Sequence, residues 1–152
     1  YGLSPSPYVE SILPFSLHRA MSFETELVHV KKIRAGEGVG YGASFTAPED
    51  CYIGTLPVGY ADGVIRKLSG QTVLIDGKRV PIIGRICMDQ CMILLPKAYT
   101  IGEKVVLIGK QGDEEITIDD WAAKLGTINY EVPCILTSRV LRIYENDKFV
   151  EN

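Results

Sequence analysis

The chain has 152 residues, 46% hydrophobic and 23% charged, with a formal net charge of -3 and a pI near 5.4. These values describe one globular domain able to bury a core and exclude a disordered chain. Without a run of five like charges, or any stretch near the roughly 20 apolar residues of a membrane span, neither nucleic acid nor membrane is an expected partner.

A small-molecule or protein partner is expected instead, and the absence of a basic-then-apolar leader pattern predicts a cytoplasmic location. The first 22 residues, with "SPSPY" followed by "SILPFSLHRAM", differ from the rest and read as a tail or the remnant of a preceding unit. From Phe23 onward the pattern is mostly strand: "ELVHVKKI", then the glycine-rich "AGEGVGYGASF", then "CYIGTLPVGY". Short strands separated by glycines predict a β-barrel or a sandwich-like domain.

Within "TLPVGYADG", Gly59 and Gly63 bracket Tyr60, which allows a close backbone approach and a turn that presents the phenol at a strand end. Asp62 reads most simply as a turn former. "TVLIDGKRVPII" is a hairpin, since Asp76-Gly77 supplies the positive φ angles of a two-residue turn between β-branched runs.

"RICMDQCMILL" alternates as a strand, with Ile86, Met88, Gln90 and Met92 on one face and Cys87, Asp89, Cys91 and Ile93 on the other. In such a strand Arg85 and Asp89 stand roughly 13 Å apart, too far for direct pairing. "EKVVLIG" is a further strand. "TIDDWAAKLG" predicts a short helix, N-capped by Thr117 and stopped by Gly126. "TINYEVPCILTSRVLRIY" adds a second, with Asn129 as its cap and Pro133 early enough to be tolerated, followed by a last strand near Arg139 to Tyr144.

No phosphate-binding loop, serine elbow or Cys/His arrangement is present. The four cysteines lack the density and spacing of a disulfide framework and are expected as reduced thiols, and two histidines remote from them offer no zinc site. The residues that stand out are Tyr60, Asp62, Arg85, Asp89 and Tyr130. A phenol such as Tyr60 is either a half-buried strand tyrosine or a proton carrier, and Met88 by itself is core filler.

Taken together and in this order, "VGYADG", "VPIIGRICMDQCMI" and "INYEV" resemble the C-terminal domain of alanine racemase, a fold-type III pyridoxal phosphate (PLP) enzyme. The resemblance spans about residues 23–144 and implies a mainly β domain with two short helices. Residues 1–22 would then be the remnant of a junction with a PLP-binding α/β barrel, and 23–152 the β domain. It further implies interconversion of L- and D-alanine by two bases on opposite faces of Cα, PLP acting as the electron sink. Tyr60 would be the second base, supplied to the active site of the other subunit of a homodimer. Met88 would bind the substrate carboxylate through its N–H, and Tyr130 would bind the cofactor phosphate. Arg85 and Asp89 would be supporting residues.

None of the nine lysines matches the PLP lysine of the family's barrel, so the chain alone is expected to be inactive. Three other readings stay open. They are a serine or broad-specificity racemase domain, a fold-type III decarboxylase domain, and a β module for protein interaction whose tyrosines are structural.

Overall fold

The structure, a computed structural model, describes residues 2–144. In chain order it contains α1 (Pro7–Ile12), β1 (Phe23–Glu26), β2 (His29–Ile33), β3 (Gly38–Val39), β4 (Phe45–Thr46) and β5 (Cys51–Leu56). These are followed by β6 (Thr72–Ile75), β7 (Lys78–Ile83), β8 (Cys91–Leu95), β9 (Lys104–Gln111) and β10 (Glu114–Ile116), and then by α2 (Ile118–Leu125) and α3 (Val132–Ile135).

The β6–β7 hairpin forms as expected, with Asp76 and Gly77 at φ +52° and +66° and Ile75 opposite Lys78. From it an antiparallel sheet runs in the order β1-β9-β6-β7-β8-β5-β2, with β10 added beside β9. Only Leu27 and Val28 separate β1 from β2, yet β1 pairs with β9 at one end of this order and β2 with β5 at the other. Pairing continues across the bend, where Leu27 N–H donates to Glu103 O and Val28 N–H to Thr55 O. One bent strand thereby joins both edges and curls the sheet into a barrel-like wall.

Leu27, Leu56, Leu74, Ile82, Ile93 and Leu107 are fully or almost fully buried in the main core. A glycine at position 54 is what this closure needs, because a Cβ there would lie 2.5 Å from Leu27 Cδ2. The small β3–β4 hairpin packs Val39 over a second cluster with Ile33, Ala47, Ile53, Ile83 and Met92, so the wall is covered on its outer side there.

Helix α2 follows its sequence pattern. Thr117 Oγ1 accepts from Asp120 N–H, the Asp120 carboxylate accepts from Thr117 N–H, and Gly126 takes the left-handed conformation at φ +73°. Its buried face, Ile118, Trp121, Ala122 and Leu125, lies at i, i+3, i+4 and i+7. Trp121 meets Phe23 edge-on, with ring centroids 6.2 Å apart, and donates its indole N–H to Leu107 O.

Three expectations are corrected. Residues 85–90 are not strand: Gly84 turns left-handed at φ +67°, Cys87 N–H closes a loop onto Gln90 O, and β8 begins only at Cys91. The predicted two-face pattern therefore fails over this stretch, with Ile86 and Cys87 both buried and Met88, Asp89 and Gln90 all exposed. No strand forms over residues 139–144, where Arg139 turns inward to Asp62 and Arg142 binds Leu136 O. Asn129 is not a cap but a buried side chain, its amide N–H groups donating to Ser4 O and Asp119 Oδ1. That bond also holds the start of the opening segment against the domain, with Ser4 buried. Among the described residues no helix is long and apolar enough to cross a membrane.

Candidate functional site

Four loops meet at one end of the wall, and glycines set how closely. The loop holding Tyr60 lies directly on the 84–90 loop: Tyr60 N–H donates to Cys87 O at 3.1 Å and Ala61 N–H to Met88 O at 2.8 Å. A Cβ on Gly59 would stand 2.3 Å from Cys87 O and 2.5 Å from Met88 O, so only glycine permits this contact. On its other side, Gly63 at φ +109° abuts Ile135 O and Leu136, in the segment that follows Tyr130.

The turn joining β3 to β4 reaches the same loop from a fourth direction. A Cβ on Gly40 would lie 3.1 Å from Arg85 N, and one on Gly42 would lie 3.8 Å from Arg85 Nη1. Gly40, Gly42 and Ala43 all have positive φ, and for Ala43 at +45° this is a strained conformation. Tyr41, between the two glycines, is 71% exposed. Sequence reasoning passed over it, although Gly40-Tyr41-Gly42 repeats the glycine-flanked tyrosine that drew notice at Tyr60.

Tyr60, Met88 and Tyr130 are all about half exposed, and the first two share one surface through the backbone bonds just described. Tyr130 sits in a single 3-10 turn, Asn129–Glu131, and points its hydroxyl toward Leu3 O at 3.5 Å, at the limit of a hydrogen bond. Met88 N–H has no acceptor among the described residues, which leaves a donor available on an exposed loop. Arg85 and Asp89 are exposed and form no ion pair with one another, and no other ion pair of theirs occurs among the described residues.

Asp62 exceeds its turn-forming expectation. Its carboxylate is buried, with Oδ2 accepting from Gly59 N–H at 2.9 Å and Oδ1 from Arg139 Nε at 2.8 Å. Two hollows in the surface, of about 450 and 510 Å³, lie elsewhere, the first along residues 17–22 and β9, the second between the β3–β4 hairpin and β7. Arg85 borders the second, but neither is lined by Tyr60, Met88 or Tyr130, which stand on an open face.

The four cysteines are free thiols, and among the described residues no three metal-ligating side chains gather. Cys91, deep in the core, has its thiol pushed up to about 12, chiefly by burial and then by the neighbouring Cys87.

Comparison with known proteins bears on this face. The family described as "Alanine racemase, C-terminal domain" matches residues 20–144. Alanine racemase of Geobacillus kaustophilus is 57% identical over 148 residues, covering 97% of this chain and 38% of that protein. The crystal structure of alanine racemase from Bacillus anthracis with bound L-Ala-P superposes with a TM-score of 0.94 at 47% identity, covering 99% of this chain and 39% of that one. A histidine racemase from Leuconostoc mesenteroides superposes at 0.86 with 36% identity, covering 93% of this chain and 38% of that one. This chain thus spans about two-fifths of the length of the relatives it matches. Its fold, its motifs and its match over most of its length agree, and the chain belongs to the alanine racemase C-terminal domain family.

Proposed function

We propose that this chain is the β domain of a PLP-dependent racemase that interconverts L- and D-alanine in the cytoplasm. It works with an α/β barrel and with a second subunit, to whose active site it lends side chains. The observation that carries this reading is the convergence of the Tyr41, Tyr60 and Met88 loops on one exposed face, held by backbone contacts that need Gly40 and Gly59.

Tyr130 fits the cofactor's phosphate, because an exposed hydroxyl held only weakly by Leu3 O can turn to donate to an anion. The aldehyde end has no partner in this face, since none of the four loops contains a lysine. That lysine comes from the barrel. When bound, PLP supplies an electron sink that weakens the Cα–H bond. Inversion then requires a proton removed on one face of Cα and delivered on the other. A phenolic oxygen of this domain takes or returns the proton on its face, and the Met88 N–H holds the substrate carboxylate so that Cα stays in line with it.

The motif resemblance assigns the phenol to Tyr60, and the geometry favours Tyr41. The Arg85 guanidinium lies against the Tyr41 turn, where a Cβ on Gly42 would stand 3.8 Å from Nη1, so this turn meets the Met88-bearing loop at its tip. The strained backbone at Ala43 is a further mark of a site-bearing turn. Tyr60 then lines the wall of the site beside Met88.

Residues 1–22 are the junction with the barrel. Tyr8, Ile12 and Phe15, spaced i, i+4, i+7 along and just beyond α1, are each at least 60% exposed and offer a surface for it. Identity above 50% to several alanine racemases favours alanine over serine or histidine as substrate.

The test is a chimera in which this chain replaces the matching 148 residues of the Geobacillus kaustophilus enzyme. Its conversion of L-alanine, L-serine and L-histidine is followed by chiral chromatography. D-alanine should form fastest, and Tyr41→Phe should lower the rate by about 10²–10⁴-fold while Tyr60→Phe leaves most of it. The reverse pattern would return the base to Tyr60. Full activity in both variants would show that the domain supplies no base.

A further inference from the structure

The buried carboxylate of Asp62 belongs to no role described so far, and it lies where two site loops meet. Its two oxygens are divided between them: one accepts from Gly59 N–H, within the Tyr60 loop, and the other accepts from Arg139 Nε, beyond the Tyr130 segment. Thr137 reinforces the same junction, its Oγ1 donating to Ala61 O at 2.7 Å and its N–H to Asp62 O at 3.3 Å. The loop so held passes its position on, since Tyr60 N–H and Ala61 N–H fix the carbonyls of Cys87 and Met88.

We infer that Asp62, Thr137 and Arg139 form a clamp that positions the Met88 N–H for the substrate carboxylate. Asp62 and Arg139 are thus positioning residues for racemisation that touch neither substrate nor cofactor. This inference rests on the proposed site, in which Met88 N–H is the carboxylate donor.

Two features favour a clamp tuned for geometry over a stability contact. A buried carboxylate with a backbone N–H and a guanidinium as its donors is fixed in both position and rotation, because each oxygen has its own partner. The contact also spans 77 residues of sequence and ties the Tyr60-bearing loop, which holds the Cys87 and Met88 carbonyls, to the segment beyond Tyr130, so one group bears on both ends of a substrate-cofactor complex. The amide in Asp62→Asn has one acceptor and one donor where the carboxylate has two acceptors, so either Gly59 N–H or Arg139 Nε must face an NH₂.

The experiment uses the chimeric holoenzyme with Asp62→Asn, Arg139→Ala and Thr137→Val. KM and kcat for L-alanine are measured together with inhibition by acetate, a carboxylate with no reacting carbon. The clamp predicts that Asp62→Asn and Arg139→Ala raise KM and the acetate inhibition constant by the same factor, about tenfold, with kcat within about threefold of the parent. Arg139→Lys should recover part of the loss. Unchanged KM and acetate inhibition alongside a lowered Tm would make the clamp purely structural and overturn the inference. Should Asp62→Asn fail to fold, Thr137→Val, which keeps side-chain shape and removes one donor, must show the same paired shift in smaller measure, or the inference falls. Failure of the proposed base is read separately, as full activity in both tyrosine variants.

Discussion

At the scale of single residues, environment decides which of several like side chains can react. Cys91 and Cys134 differ in this way: the first is fully buried in the barrel core and the second is exposed beside Tyr130 O. Burial disfavours the Cys91 thiolate, and its thiol titrates only near 12. In the unfolded chain the same thiol ionises near 8.5, so the folded value is raised. The stability this represents is fully present below about pH 8.5 and is lost as pH rises toward 12, since the unfolded state releases the proton first. Each pH unit in that window should lower the unfolding free energy by about 1.4 kcal/mol from this group. Urea unfolding at pH 8 and pH 10.5 measures it, and Cys91→Val should flatten the difference by about 2–3 kcal/mol relative to the parent. An equal alkaline loss in both proteins would place the effect on other groups.

At the scale of elements, those written locally in the sequence form as read. Helix α2 is the clearest, because its cap, its stop and its buried spacing all lie within ten residues. Removing the Thr117 hydroxyl orphans the Asp120 N–H and removes the bond Oγ1 donates to the Asp120 carboxylate, so Thr117→Ala should cost about 1 kcal/mol, read as a lower urea midpoint with unchanged slope. The Asp76-Gly77 hairpin was legible for the same local reason. The 85–90 stretch was not, although its alternation is good strand pattern. What breaks it is a left-handed Gly84, where a Cβ would stand 3.0 Å from Val39 O, and a carbonyl pair, Cys87 O and Met88 O, that accepts from Tyr60 and Ala61 N–H, contacts made by residues distant in sequence. The expected strand near 139–144 fails similarly, because Arg139 is drawn to a carboxylate 77 residues earlier. Of the candidate site residues, Tyr60, Met88 and Tyr130 were singled out by motif resemblance, and the loops of the first two lie against one another. Tyr41 and the buried state of Asp62 emerge only when the loops are brought together.

At the scale of the whole molecule, the site depends on closure of the sheet, because its loops arise from four places along the wall. Closure rests on one bend. Leu27 lies there with no exposed surface, its Cδ2 filling the space that Gly54 leaves open. Truncation to alanine would remove three carbons from a position where neither β9 nor β5 can collapse inward without losing its pairing with the bent strand. Leu27→Ala should therefore cost about 3–5 kcal/mol, toward the upper end for such a change, because the cavity cannot close. Gly54→Ala in that background should recover part of the loss, since its methyl group would then occupy the vacated volume that Leu27 Cδ2 now denies it. Urea unfolding of the two single variants and the pair measures the coupling. Additive losses would mean that the two sites do not share the cavity, and that the bend is held by its backbone bonds to Glu103 and Thr55 alone.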